Sequence, residues 1–363
     1  MTTATDDADL LAVRQLADDI LGSSTEPMLD VQRVGLEYNP ELWDTLTESG
    51  LTLLTTPEAR GGTGASLREL AVVLEACGYH AAPVPLAEHD LLASWLLSIA
   101  DLPADSGAMT AAVTDQLLCK RRLTAVLDGV PWAGAAQTLV VAGDGFISKI
   151  PLAAVRIDPV LDIAGQPGGR VHIDIQLEPQ WCTEVAMSPA AEFRLRGALA
   201  RSLQTCGALS RALALTCEHA QQREQFGRPI SKFQAVQALI ASAASSIALA
   251  KTAAEFAVEA VTDHGFDSPH GVFAVSVAKI EASRAATLVA RNAHQVHGAI
   301  GFTLDHRLRH FTSRALAWRA EFGVQREWQH RLGQLVLDSP GGVWELVTAL
   351  SSGVSEPDRD HQT

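Results

Sequence analysis

The hydrophobic period changes twice along the chain, and those two changes limit what it can fold into. From Asp9 to about Ala100 the period is helical, with Leu10, Leu11, Val13, Leu16, Ile20 and Leu21 recurring at steps of three and four. The first helix runs out at the polar stretch from Gly22 to Thr25. A second is expected from Pro40, where Asn39 offers a cap and proline suits the first turn. Leu51 to Thr56 reads as a short extended run leading into a glycine loop at Gly61, Gly62 and Gly64. Leu67 to Tyr79 is again amphipathic, and Pro83 and Pro85 stop it. Between about Met109 and Trp181 short alternating runs, such as Leu139 to Ala142 and Val171 to Leu177, lie among glycines and prolines and predict strands and turns. From Phe193 to about Ala349 the chain returns to long alanine-rich helices. Leu199, Leu203, Cys206, Leu213 and Cys217 share one stripe there, and small residues such as Gly207 and Ala214 suit close helix approach. Breaks near Gln225 to Pro229, Asp263 to Gly265, Gly298 to Asp305 and Gly323 divide this part into four helices.

A mainly α fold follows, with an N-terminal helical domain over 1–108, a small middle β domain over 109–185, a C-terminal four-helix bundle over 186–350 and a disordered polar tail over 351–363. The strand-patterned segment is too short for a doubly wound nucleotide fold, and it has no GxGxxG between a strand and a helix. Seven Trp and ten Phe are expected mainly in the core.

Charge removes several function classes. With 28 Lys+Arg against 42 Asp+Glu, the net charge of −14 repels a phosphate backbone, so nucleic acid is not an expected partner. Arginines gather between Arg307 and Arg331, but Asp305, Glu321 and Glu327 are interspersed, the pattern of a solvated helix face. The acidic start carries no secretion signal, and no uninterrupted apolar run reaches the roughly 18 residues of a membrane helix. Five cysteines without a CxxC pair predict reduced thiols in a cytoplasmic protein and no metal site.

Two stretches offer cofactor chemistry. In Arg223-Glu-Gln-Phe226-Gly-Arg-Pro, an arginine just past a helix end can pair with a dinucleotide's phosphates, and Gln234 is expected three turns along the next helix. In His294-Gln295-Val-His297-Gly298, a side-chain amide and a closely approaching glycine backbone can hydrogen-bond a cofactor without adding charge. His294 and His297 themselves read as packing or surface residues. No GxSxG, HExxH or P-loop competes with these stretches.

The helical–β–helical order and these motifs resemble the acyl-CoA dehydrogenase family. Arg223 to Gln234 is similar to the family's RxxFGxxxxxxQ signature, Gln295 to Gly301 to its QxxGGxG turn with Ala299 at the second glycine, and Pro57 to Gly64 to its PExxGG loop. The resemblance implies FAD as cofactor, an acyl-CoA thioester as substrate and an electron-transfer acceptor. It gives Arg223, Phe226 and Gln234 the adenosine diphosphate half of a neighbouring subunit's FAD, and Gln295 and Gly298 further contacts to the cofactor. Dehydrogenation in this family needs a carboxylate to remove the α-proton while the flavin takes the β-hydride. Of the family's two base positions, one falls on Phe322, with Glu321 one residue early, where on a helix a rotation of about 100° would turn it away. The other, 26 residues before Arg223, falls on Gly197. The Thr-Glu-Pro motif of the family's β domain is missing between 105 and 135, and only Asp128 to Gly134 is similar to its Trp-Ile-Thr strand.

These departures resemble the degenerate partner subunit of actinobacterial heteromeric acyl-CoA dehydrogenases, two related chains in an α2β2 tetramer, some of which act on steroid side-chain thioesters. The alternatives are a self-sufficient homo-oligomeric enzyme using Glu321 as base and a non-enzymatic scaffold that has lost FAD.

Overall fold

The computed structural model describes residues 4–31 and 35–348, so the tail expected from 351 lies outside the described residues. Four helices lead the chain: α1 (Ala4–Thr25), α2 (Pro40–Glu48), α3 (Leu67–Tyr79) and α4 (Trp95–Ile99). Asn39 caps α2 by accepting the Leu42 amide at 3.0 Å, with Pro40 in the first turn. Ser66 and Glu69 form a capping box at the start of α3. Leu42, Trp43 and Leu46 are buried on one face of α2.

The extended run expected from Leu51 is not a strand. It is an irregular loop whose carbonyls are taken by the glycine turn after it: Thr63 N–H donates to Leu53, Ala65 N–H to Leu54 and Gly64 N–H to Thr56. Gly62 lies so close to the Thr56 carbonyl that a Cβ there would collide with it. Ala87–Ser94, every residue of it buried, forms a stretch of π-helix that helical periodicity does not reveal.

The middle region has two sheets. A four-stranded sheet has the order β1 (Met109–Val113), β3 (Thr138–Gly143), β4 (Phe146–Pro151), β7 (Cys182–Glu184). A three-stranded sheet has β2 (Arg122–Pro131), β6 (Pro167–Gln176) and β5 (Arg156–Leu161). Leu123, Leu139, Phe146, Ile150, Val171 and Ile173 pack together in one apolar cluster of these strands.

The helical part is built on α5 (Ala190–Gln222), which packs against α3 on one side and later helices on the other. Gly78 of α3 and Gly207 of α5 form a reciprocal crossing: a Cβ on Gly78 would meet the Gln204 carbonyl, and one on Gly207 the Glu75 carbonyl. Gly207 thus fills the packing role its sequence context implies. A short hairpin, β8 (Glu224–Gln225) and β9 (Arg228–Pro229), leads into α6 (Gln234–His264) and α7 (Pro269–His297). The fourth bundle position is shared by α8 (Leu308–Trp318), which packs on α5, and α9 (Gln325–Asp338), which packs on α7; α10 (Gly342–Thr348) follows. The Arg307–Arg331 run is not simply a solvated face, because Arg309 and Arg314 of α8 are buried. Of the aromatic rings, Phe226, Phe302 and Trp344 are exceptions to the expected core placement.

Candidate functional site

The stretch from Arg223 is a displayed hairpin. Arg223 follows the last residue of α5, and its carbonyl accepts the Ile230 amide at 2.8 Å across the base of the hairpin. At the tip Phe226 and Gly227 both have positive φ, 55° and 77°, the backbone of a type I′ turn. Glycine adopts that conformation freely, whereas phenylalanine does so at a cost. The Phe226 ring is nevertheless 93% exposed, so it gains no burial within the chain in return. Arg223 and Gln234 are exposed as well. Gln234 is the first residue of α6 rather than three turns along it, because the hairpin and a single helical turn over Ile230–Lys232 occupy the intervening residues.

Gln295 and Gly298 line an apolar groove of about 490 Å³ at the end of α7, with Thr287, Arg291, His294 and Phe302. Gly298 ends the helix at φ 66°, and nothing lies where its Cβ would be, so its backbone faces open space. Ala299 is exposed beside it. His294 stacks on Phe302 at 4.4 Å between ring centres and bonds the Thr312 hydroxyl at 3.0 Å, the packing role expected of it. Each of these outward-facing groups is of a type that a dinucleotide cofactor can use: a cation for phosphate, an aromatic face, amides and an open glycine backbone.

Gly197 and Phe322 meet each other. A Cβ on Gly197 would run into the Phe322 ring, which is also 5.9 Å from the ring centre of Phe193. Phe322, at φ 55°, lies in the turn after α8, and so does Glu321. The helical rotation argued for Glu321 from sequence therefore does not apply. Instead an ion pair fixes it: Arg201 donates from Nε to Glu321 Oε2 at 2.8 Å. Arg201, 3% exposed, also donates to Gln204 Oε1 at 2.6 Å and to Glu88 on the π-helical stretch. Lys279 of α7 is buried nearby, donating to the Trp318 carbonyl at 2.6 Å, and burial pulls its pKa down to about 7. Glu321 and Arg201 border a cleft of about 220 Å³ whose other walls include Trp132, Asp162, Gln166 and Gly168.

Sequence reasoning missed Arg201, Glu88 and Lys279. The usable signal was a cation between the apolar Leu199 and Leu203 on a helix that is otherwise small or apolar there, and such a charge is stable only if paired. The carboxylate that pairs with it lies 113 residues away, beyond any local pattern.

With this geometry in place, likeness to known proteins identifies the class. Residues 7–100 match "Acyl-CoA dehydrogenase, N-terminal domain" and residues 185–327 match "Acyl-CoA dehydrogenase, C-terminal domain". The chain belongs to the acyl-CoA dehydrogenase family, whose cofactor is FAD. It is 27% identical over 319 residues to acyl-CoA dehydrogenase IpdE2 of Mycolicibacterium smegmatis, covering 85% of this chain and 92% of that protein. Among solved structures it is similar to a chain of the ChsE4–ChsE5 complex of Mycobacterium tuberculosis, with a TM-score of 0.81 at 22% identity over 94% of this chain and 99% of that one. It is also similar to a chain of a variant of the Tcur3481–Tcur3483 steroid acyl-CoA dehydrogenase, with a TM-score of 0.76 at 23% identity over 92% and 98%.

Proposed function

We propose that this chain is a subunit of a heteromeric, FAD-dependent acyl-CoA dehydrogenase that contributes cofactor contacts to a related partner chain and has no catalytic base of its own. The observation that carries this reading is the contact between Phe322 and Gly197, since the two places where a base would be expected close on each other as an apolar plug. FAD, when bound, supplies the acceptor for the β-hydride of the acyl thioester. Arg223 would pair with its phosphates, Phe226 would cover an adenosine face, and Gln234, Gln295 and Gly298 would add neutral hydrogen bonds. All five groups face outward, which suits a cofactor held mainly by another chain.

The surface of α6 agrees. Ala241, Ala244, Ala248 and Leu249 along it are exposed, so a face of small and apolar residues lies uncovered in the single chain. Gln237, Ser242, Ser245, Ser246 and Lys251 interrupt it, as expected of a face covered by protein rather than lipid. Similarity to a steroid acyl-CoA dehydrogenase favours a bulky CoA thioester as substrate and a place in lipid or steroid degradation.

The chain expressed alone is expected to be poorly soluble or colourless. Co-expression with a related chain bearing an intact flavin pocket is expected to yield a yellow α2β2 tetramer with two FAD per four chains. Light scattering with flavin quantitation checks both, and one FAD per chain in a homotetramer would overturn the reading. In the heteromer, Glu321→Gln is expected to leave turnover within about tenfold, because the Glu321 carboxylate serves Arg201 and the glutamine oxygen can still accept that bond. Loss of a general base typically costs 10²–10⁴-fold. A loss of that size, with FAD retained, would reinstate Glu321 as base.

A further inference from the structure

The fold gathers three histidines that no sequence pattern joins. His219 lies in the last turn of α5, His297 is the last residue of α7, and His306 lies just before α8. The His219 and His297 ring centres are 4.4 Å apart, and those of His297 and His306 are 4.5 Å apart. One ligand nitrogen from each lies within 4.8 Å of the others. We propose that His219, His297 and His306 bind a divalent transition-metal ion of the zinc type, which ties together the ends of three bundle helices.

His297 carries the argument furthest. The residue is 6% exposed, and its Nδ1 donates to the Ala293 carbonyl at 2.8 Å. That bond places the proton of the neutral ring on Nδ1 and leaves the lone pair on Nε2. Nε2 is buried and has no hydrogen-bond partner. A buried acceptor left unmatched is unfavourable, and a ring whose other nitrogen donates to a backbone carbonyl is oriented as metal-binding histidines commonly are.

Ligand chemistry narrows the ion. Imidazoles without thiolates suit zinc, nickel, cobalt or copper, whereas magnesium and calcium need oxygen donors. Nearby cations are already compensated: Arg307 pairs with Asp30 and Glu26, and Arg211 pairs with Glu26. The Glu218 carboxylate favours positive charge at His306, whereas Arg307, despite its ion pairs, opposes it there and the exposed Arg223 opposes it at His219. A cavity of about 320 Å³ bordered by His219, His306, Glu218 and Asp305 gives the ion an entry path and leaves room for a fourth ligand.

Bonds of about 2.0–2.1 Å in a tetrahedron require the nitrogens to move closer than they now lie. His219 and His306 are only partly buried and can rotate inward, whereas His297 is held by Ala293. His306 Nδ1 now accepts the Leu308 amide at 3.1 Å, and ligation through either nitrogen gives that bond up. Leu308 N–H is a first-turn amide without an intrahelical partner, so water can replace the imidazole. None of the three rings lines the groove that holds Gln295, but the site adjoins the proposed FAD contacts, since His297 directly precedes Gly298 and Arg223 follows His219 by four residues.

The test uses the tag-free, chelator-treated protein, in complex with its partner chain if that is needed for solubility, titrated with Zn2+ and with Co2+. One saturable ion per chain is expected, with the visible bands of tetrahedral Co2+ and a raised unfolding temperature. His297→Gln, His219→Gln and His306→Gln should each weaken binding by about 100-fold or more, since even outer-shell changes cost 10–100-fold. His270→Gln, in the separate His264–His270 pair, should leave it unchanged. If His297→Gln fails to fold, the part-exposed His219 and His306 variants decide. Absence of saturable binding, or equal binding in those variants, overturns the site, and neither result depends on how FAD is held.

Discussion

Arg223→Ala in the assembled complex is expected to strip most of its FAD. A hydrogen bond to a charged group contributes about 1.5–3 kcal/mol, so removing the cation weakens cofactor retention by roughly 10–150-fold. Such a complex would lose its yellow colour on gel filtration or dialysis and regain it only in excess FAD. Folding should be unaffected, because the Arg223 side chain is exposed and the hairpin is closed by its backbone carbonyl to Ile230. Flavin absorbance per mole of complex, together with an FAD titration of the stripped protein, checks the prediction. Unchanged occupancy in a folded complex would remove Arg223 from the cofactor and favour the non-enzymatic scaffold. Arg223→Lys separates charge from geometry: partial retention is expected, since an ammonium keeps the attraction but not the two parallel bonds.

How much of this was legible in the sequence follows the range of the interactions. The cap at Asn39, the glycine crossing at Gly207 and the breaks at Gly265, Gly298 and Gly323 are signals carried within a few residues, and each marks the structural feature its pattern implies. The strand runs near Leu139 and Val171 likewise become β3 and β6. Leu51 to Thr56 misleads because its β-type composition outweighs the glycine turn, which takes the same carbonyls. Gln234 is misplaced because Phe226 adopts a left-handed backbone that its residue type disfavours, turning a helix corner into a hairpin. Motif spacing puts Glu321 one residue out of register, but its partner Arg201 and the plug of Phe322 on Gly197 arise between elements more than a hundred residues apart. Periodicity carries no information about such pairs, and the three histidines at the ends of α5, α7 and α8 escape it for the same reason.

Arg201→Met is expected to cost about 3–5 kcal/mol of stability, the range for breaking a buried pair by removing one partner. The loss comes chiefly from Glu88, which is 1% exposed and whose second oxygen already has no partner. With the guanidinium gone, that carboxylate would be buried and uncompensated, and Gln204 would lose the donor to its Oε1. Glu321 would suffer less, because it borders the cleft and water can reach it. The midpoint of urea unfolding, followed by far-ultraviolet circular dichroism, should fall accordingly. The double variant Arg201→Met with Glu88→Met should recover most of the loss, since an apolar pair can replace a buried ion pair at little or no cost. Failure of the double variant to recover would show that Gln204 and Glu321 contribute more than Glu88 does. Recovery has a functional corollary. If the heteromer built from the double variant keeps its FAD and its turnover, the buried ions serve to lock the π-helical stretch onto α5, and the chain's part in the enzyme rests on its outward-facing cofactor contacts.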